Sequence, residues 1–290
     1  MVQSVRRDMS SPGERVATHI ITATGARIPA LGYGTWRMQG DTAYRGVRDA
    51  LEVGYRHIDT AQLYANEREV GRALADSLVP RDEVFLTTKV WRDHLDPDSI
   101  RRTTEESLAR LGTGWVDLLL LHWPNAAFPI EPALDALMEL QQAGKASFIG
   151  VSNYPVALLD RAVAVAPLTM NQVEYHCMLG QRAVQAACRA HGIGMTAYCP
   201  LGQGKLLRDP RVIALAAVQG VTPAQLALAW LLEQDGVAVI PKSRSRERIE
   251  ENWGSLQVRL TDEVRMAMDA WPKDLRTVDP PAFGIEWDKD

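Results

Sequence analysis

Cysteine is scarce. The three in this 290-residue chain, Cys177, Cys188 and Cys199, are too few and too evenly spread for a disulfide framework or a paired metal-binding motif. Free thiols in a reducing compartment, the cytoplasm, are the expectation, and no metal site is expected. An excess of basic charge is missing too: 32 Lys and Arg stand against 36 Asp and Glu, a net charge of -4. That balance argues against a nucleic acid or an anionic membrane as partner, since either would favour a basic face. No apolar run is long enough to span a bilayer, and residues 1–15 lack the apolar stretch of a secretory signal. They read as a flexible extension, with a start at Met9 as an alternative, ahead of one domain over 16–290. A phosphate fingerprint is also absent. Gly32-Tyr33-Gly34 runs into Thr35-Trp36-Arg37 and Gly202-Gln203-Gly204 into Lys205-Leu206-Leu207, so neither completes GxGxxG or a P-loop. An open, doubly wound dinucleotide-binding sheet therefore loses its main support.

What is present is a rhythm of short apolar runs and longer amphipathic ones. The runs 30–35, 56–59, 84–89, 116–122, 148–152, 169–173, 195–198 and 237–240 make eight strand candidates. Several, such as Val116-Asp117-Leu118-Leu119-Leu120-Leu121, are nearly continuous in apolar character, as strands covered on both faces are. With 46% hydrophobic residues to fill a core, the class expected is α/β, a (β/α)8 TIM barrel. A hairpin with Thr24-Gly25 at its turn, between 18–22 and 27–29, would close the bottom. Helix punctuation agrees: Asp96-Pro97 and Thr222-Pro223 as starts, Asn66 with Glu69 as a capping box, Gly112 and Gly144 as stops.

Active sites of such barrels lie at the C-terminal strand ends. Asp59, Lys89 and His122 end three consecutive runs, and Tyr64 lies one short loop past the first. Reducing a carbonyl by hydride requires a proton donor at oxygen, because an alkoxide is strongly unfavourable in a dry pocket. A tyrosine suits the role if its pKa is lowered; Lys89 would do this, His122 would orient the carbonyl, and Asp59 would keep the ammonium charged. Each residue alone also reads as packing or a structural ion pair. The coincidence of four complementary groups on adjacent strands favours chemistry.

At these residues the sequence resembles the aldo-keto reductase family, from residue 16 nearly to the end. Tyr55-Arg56-His57-Ile58-Asp59-Thr60-Ala61 with Tyr64, Asn66-Glu67 and Val70-Gly71 is similar to one family signature. Leu121-His122-Trp123-Pro124, Gly150-Val151-Ser152-Asn153 and Ile240-Pro241-Lys242-Ser243 are similar to others. The resemblance implies a catalytic tetrad of Asp59, Tyr64, Lys89 and His122, and NADPH/NADP+ bound without a Rossmann domain. It further implies Ser152, Asn153 and Gln172 at the nicotinamide carboxamide, Tyr198 stacked on the ring, and Leu201, Gly202 and Gly204 over the pyrophosphate. Thr35, Trp36 and Asp59 join the cofactor site. Lys242, Ser243, Arg244 and Arg248 would hold the 2′-phosphate, with Glu251 and Asn252 at adenine; Ser245 stands where bacterial relatives can carry Arg. On its own, the run 244–248 also reads as a solvated helix start of mixed sign. Trp36, Tyr64, Trp91, His122 and Trp123 are the expected substrate pocket, with Tyr33 and 283–287 at its rim.

The length, the loop 200–205 and Glu286-Trp287-Asp288 look most like the bacterial 2,5-diketo-D-gluconate and methylglyoxal reductases. The expected reaction is NADPH-dependent reduction of aldehydes or ketones to alcohols, on α-oxoaldehydes, keto sugars or aromatic aldehydes. A monomer is expected, with an oligomer left open. Two alternatives stand beside this: a non-catalytic NADP-binding regulatory barrel, and a Schiff-base lyase using Lys89.

Overall fold

The structure is a computed structural model that describes residues 6–8 and 18–289. All eight apolar runs are strands, and they pair in parallel in chain order: β4 (Tyr33–Gly34), β5 (His57–Asp59), β6 (Phe85–Val90), β7 (Val116–Leu121), β8 (Ala146–Ser152), β9 (Met170–Glu174), β10 (Gly194–Tyr198) and β11 (Val237–Val239). The ring closes where Val239 N donates to Ala30 O at 2.7 Å and Gly32 N donates to Val239 O at 2.7 Å, around a parallel bridge between Leu31 and Val239. The chain thus folds as a (β/α)8 barrel.

Three further strands form a separate antiparallel sheet: β1 (Arg6–Asp8), β2 (His19–Ile21) and β3 (Arg27–Pro29). The rest of the expected N-terminal extension, residues 1–5 and 9–15, lies outside the described residues. The β2–β3 turn uses Gly25 at φ 85°, a conformation glycine enters without steric cost. Ile20 and Ile28 of this hairpin pack with Phe85, Leu118, Leu120, Met170 and Ala238, which plugs the barrel at the strands' N-terminal side.

Alternation along each strand then decides which residues face inward. Leu118 and Leu120 join that interior cluster, whereas Leu119 and Leu121 join the shell cluster under the helices. The same parity puts Phe85, Thr87 and Lys89 of β6 inside, and carries His57 and Asp59, Ser152, Gln172 and Tyr198 to the inner face near their strand ends. Gly150 has to lack a side chain, because a Cβ there would stand 2.5 Å from Met170 O.

The helices are α1 (Gly40–Val53), α2 (Glu67–Ala75), α3 (Pro97–Leu111), α4 (Ile130–Gln142), α5 (Val156–Val163), α6 (Arg182–Ala190), α7 (Pro210–Gln219), α8 (Pro223–Leu232), α9 (Arg246–Trp253) and α10 (Asp262–Asp269). Asp96 caps α3 by accepting from Ser99 N, and Thr222 with Gln225 forms a full capping box on α8. Asn66 differs from expectation. It stands at the start of α2 without capping it, because its amide donates to Thr35 O and Met38 O and accepts from Thr60. All three thiols are free, and burial pushes those of Cys177 and Cys188 up to about 12. Among the described residues no single helix is long and apolar enough to cross a membrane.

Candidate active site

A cavity of about 740 Å³ opens at the C-terminal ends of the strands. Asp59, Tyr64, Trp36, Trp91, His122 and Trp123 line it together. Lys89 stands behind this wall, fully buried at the end of the inner face of β6. Its ammonium donates to Asp59 Oδ1 at 2.5 Å and to Thr60 O at 2.9 Å, and lies 3.5 Å from the Tyr64 hydroxyl. Asp59 Oδ2 in turn accepts from Gln172 Nε2 at 2.8 Å. The four residues expected from three consecutive runs are therefore brought to one place.

The electrostatics differ from expectation at Tyr64. Desolvation first, and the Asp59 carboxylate second, hold its phenol well above the ordinary value, so Lys89 does not acidify it. The physical reason is burial: taking the hydroxyl out of water disfavours its charged form, and the negative charge of Asp59 adds to that. Tyr64 is consequently a protonated hydroxyl. Burial, and to a lesser degree Lys89, hold the His122 imidazole well below its usual value, so it is neutral at pH 7. Its buried Nδ1 has no hydrogen-bond partner among the described residues, and its ring packs edge-on to Tyr64 at 5.6 Å and Trp91 at 5.4 Å. For Lys89, burial lowers the pKa against the opposing pull of Asp59.

Neutral buried histidines predict an acid limb in stability. His57, inside the barrel below Asp59, is likewise depressed by desolvation. Unfolded imidazoles bind protons below about pH 6.5 whereas these folded ones do not, so in that window the unfolded state carries more protons. Stability then falls as pH drops below about 6.5, by at most about 1.4 kcal/mol per pH unit for each histidine. Urea unfolding of His122→Asn and His57→Asn should each give a shallower slope between about pH 7 and 5; unchanged slopes in both would contradict these neutral states.

Beside these four residues runs a hydrogen-bonded chain. The Tyr198 hydroxyl donates to Asn153 Oδ1 at 2.7 Å, Asn153 Nδ2 donates to Ser152 Oγ at 3.0 Å, and Ser152 Oγ donates to Gln172 O at 2.8 Å. Thr35 joins through a bond to Asp59 O at 3.0 Å. Leu201 and Gly204 reach the cavity wall, whereas Gly202 is buried behind it against Leu206. At the far end lie Lys242, Ser243, Arg244, Arg248, Glu251 and Asn252. Arg246, on the same run, faces away and pairs with Asp49, Glu52 and Glu250. Lys242, Arg244 and Arg248 have no carboxylate within 4.0 Å among the described residues, so the cavity end is unneutralised while the outer face is the solvated mixed-sign surface. Desolvation and the repulsion of Arg244, Arg37 and Arg248 hold the Lys242 ammonium below its ordinary value.

Arg37 belongs to this cluster and was not among the expected residues. Its backbone carbonyl accepts from Arg244 Nη2 at 2.9 Å, and its guanidinium stacks 4.2 Å over Trp36. Nothing in the run Thr35-Trp36-Arg37 marks it except charge beside a strand end. Arg37, Asn153, Cys199 and Gln203 all line the cavity with positive φ, and Ala65, also at positive φ, follows Tyr64. Such backbone persists only where surrounding structure fixes it.

The rim also differs in part. Tyr33 is not on it: the ring is buried and its hydroxyl donates to Ser243 O at 2.5 Å. Phe283 does line the cavity, packing on Trp91 at 5.9 Å and Trp123 at 5.2 Å, and Trp287 packs behind Trp123 at 6.1 Å. The irregular C-terminal segment that carries them is anchored at Glu174, which accepts from Thr277 N, the Thr277 hydroxyl and Val278 N. Burial alone would raise the Glu174 carboxyl, but His176 Nε2, 3.5 Å away, and hydrogen bonds from Thr277 and Val278 hold it below its ordinary value.

Known proteins bear on this site. The model of the Aldo/keto reductase family matches residues 30–271. The chain is 41% identical over 266 residues to Methylglyoxal reductase DkgB of Escherichia coli O157:H7, covering 90% of this chain and 99% of that protein. It is 38% identical over 257 residues to a 9,11-endoperoxide prostaglandin H2 reductase of Trypanosoma cruzi, covering 86% and 90% respectively. Among solved structures, a candidate 2,5-diketo-D-gluconic acid reductase B superposes with a TM-score of 0.91 at 40% identity, over 95% of this chain and 99% of that one.

Proposed function

Because the chain belongs to the aldo/keto reductase family, oxidoreductases of small-molecule carbonyl compounds that use a nicotinamide cofactor, we propose that it reduces aldehydes or ketones with NADPH and that Tyr64 is the proton donor. The reading rests on one juxtaposition: a protonated phenol, a neutral imidazole and a buried Lys89–Asp59 pair meet on one cavity beside an unneutralised cationic cluster.

The residues present fit a phosphorylated dinucleotide. Lys242, Arg244 and Arg248 would hold its 2′-phosphate, with charge-assisted hydrogen bonds in place of the missing carboxylates. Glu251 and Asn252 would border the adenine. Leu201 and Gly204 would cover the pyrophosphate, and the Tyr198 ring, half-buried at its strand end, would support the nicotinamide alongside Ser152, Asn153 and Gln172. Bound there, the reduced ring supplies the hydride.

The chain's own residues do the rest. His122, neutral, orients the carbonyl, and the Trp91, Trp123 and Trp36 rings exclude water from it. Tyr64 donates its proton to the carbonyl oxygen as charge develops there. Lys89, 3.5 Å behind, then stabilises the phenolate left on Tyr64, and Asp59 keeps that lysine cationic. The same pairing speaks against a Schiff-base role for Lys89, which requires a neutral amine. The aromatic walls suit α-oxoaldehydes and aromatic aldehydes, and keto sugars through ring stacking. A single domain over 16–290, acting as a cytoplasmic monomer, completes the proposal.

The deciding experiment is NADPH oxidation with methylglyoxal, aromatic aldehydes, keto esters and diketo-gluconates. Tight NADPH binding without turnover of any of them would sink the proposal in favour of a regulatory barrel. For the cofactor, Arg248→Ala should weaken NADPH binding by about 1.5–3 kcal/mol, the worth of one charged hydrogen-bonding partner. Fluorescence titration should find NADH binding nearly unaltered, and equal losses for both cofactors would remove Arg248 from the 2′-phosphate.

A further inference from the structure

Behind the substrate wall sits a cation the mechanism does not use. Arg92 follows Trp91 directly, is only 8% exposed, and has no carboxylate within 4.0 Å among the described residues. Its Nη1 is buried without a hydrogen-bond partner, and its guanidinium carbon stacks 3.8 Å over the ring of Phe283. The nearest acidic side chain in sequence, Asp93, is engaged by Trp91 Nε1 at 3.0 Å. Asn125 fixes the Arg92 backbone by donating to its carbonyl at 3.0 Å.

A guanidinium is charged at any working pH, and leaving it buried without an anion is costly. Stacking on one aromatic face offsets only part of that cost. One ring therefore separates an unneutralised cation from the cavity, since Phe283 lines the cavity and covers Arg92. That ring is carried by the short turn Pro281–Phe283, whose backbone bonds close on itself, Phe283 N to Pro280 O and Gly284 N to Pro281 O. The segment is tied at Thr277 and Val278 on one side and at Asp288, which accepts from Val156 N at 2.9 Å, on the other, and between these ties ring packing holds Phe283. The other rings of the substrate end, Trp91 and Trp123, offer no charge.

We propose that Arg92 is a specificity residue that receives a carboxylate carried by the substrate away from its reacting carbonyl, so that the chain prefers carbonyl acids to their uncharged analogues. The planar fork of the guanidinium matches a carboxylate in two parallel hydrogen bonds once the Phe283 ring moves aside, and pairing there would supply the anion the site lacks. This rests on the proposed reductase reading for its kinetic form but not for its binding form.

The test compares 4-carboxybenzaldehyde with 4-methylbenzaldehyde, of similar shape, in the intact protein with NADPH. Arg92→Met should raise KM for the carboxylated aldehyde by on the order of ten- to a hundredfold, with kcat little altered and KM for the methyl analogue within about twofold. Arg92→Lys, which keeps the charge without the fork, should restore part of the loss. Equal losses on both aldehydes would mean that Arg92 merely braces Phe283, and no loss on either would mean that it meets no substrate; both overturn the proposal. Thermal protection of the NADP-bound protein by 4-carboxybenzoate is read without turnover. If no carbonyl compound is reduced, the reductase reading fails, yet protection present in the wild type and lost in Arg92→Met would still support the carboxylate site, and its absence in both would end it.

Discussion

Replacing Tyr64 by Phe should lower kcat for carbonyl reduction by about 10²- to 10⁴-fold, the usual worth of a positioned proton donor. The change removes one oxygen and little else. The ring keeps its edge contact with His122 at 5.6 Å and its place 5.0 Å from the Lys89 ammonium, so the wall of the cavity should persist. NADPH affinity should stay within about twofold, because the cations argued to hold it lie at the other end of the cavity. Steady-state kinetics with a cofactor titration on the same preparation separates the two effects. A Tyr64→Phe protein retaining more than about a tenth of kcat would give the proton-donor role to another group, with His122 the next candidate.

Asp59→Leu should be the most destabilising substitution at the site. It strands a fully buried ammonium whose remaining protein acceptors are Thr60 O and, at 3.5 Å, the Tyr64 hydroxyl, and it also deprives Gln172 Nε2 of its acceptor. Removing one partner of a buried pair costs about 3–5 kcal/mol, whereas replacing both with apolar groups can be neutral. Asp59→Leu combined with Lys89→Met should accordingly recover most of the loss in urea unfolding. Desolvation already lowers the Lys89 pKa, and without Asp59 it should fall further. Between that folded value and the unfolded value near 10.5 the unfolded chain binds the extra proton, so the single variant should gain stability as pH rises through this window. A single variant no less stable than the double would refute the buried-charge account.

How much of this was legible in the sequence depends on what each residue answers to. The strands were readable because burial on both faces demands runs such as Leu118-Leu119-Leu120-Leu121, and because the barrel places its chemistry where those runs end. Their limits moved by one to three residues, as at β4, which begins at Tyr33 and not at residue 30, and at β8, which begins at Ala146 and not at residue 148. That Asp59, Tyr64, Lys89 and His122 meet at one end of the barrel was readable from that same rule. The electrostatics there were not, because the rise of the Tyr64 phenol comes first from burial by side chains of other strands and loops, and spacing along a chain carries no such information. Tyr33 looked like a rim residue by its place beside a strand end, but strand parity turns it outward from the barrel axis, under Ser243. Asn66 matched a capping pattern and instead serves three neighbours across loops. Beyond Asp269 the chain has no periodicity, so the anchoring of Thr277 and Val278 on Glu174, and with it the position of Phe283, depended on tertiary contacts alone.

The seam between Ala30, Gly32 and Val239 has a consequence for how the protein is made. Residues at opposite ends of the polypeptide must meet before the sheet is a ring, so a chain emerging from the ribosome exposes an unpaired strand edge until residue 239 and its flanking helix have appeared. Contacts of such sequence separation form slowly, and an open parallel edge is a template for misassociation in the interval. Conditions that delay the last quarter of synthesis should therefore harm yield more than equal delays earlier, and chaperone dependence should concentrate in that late stage.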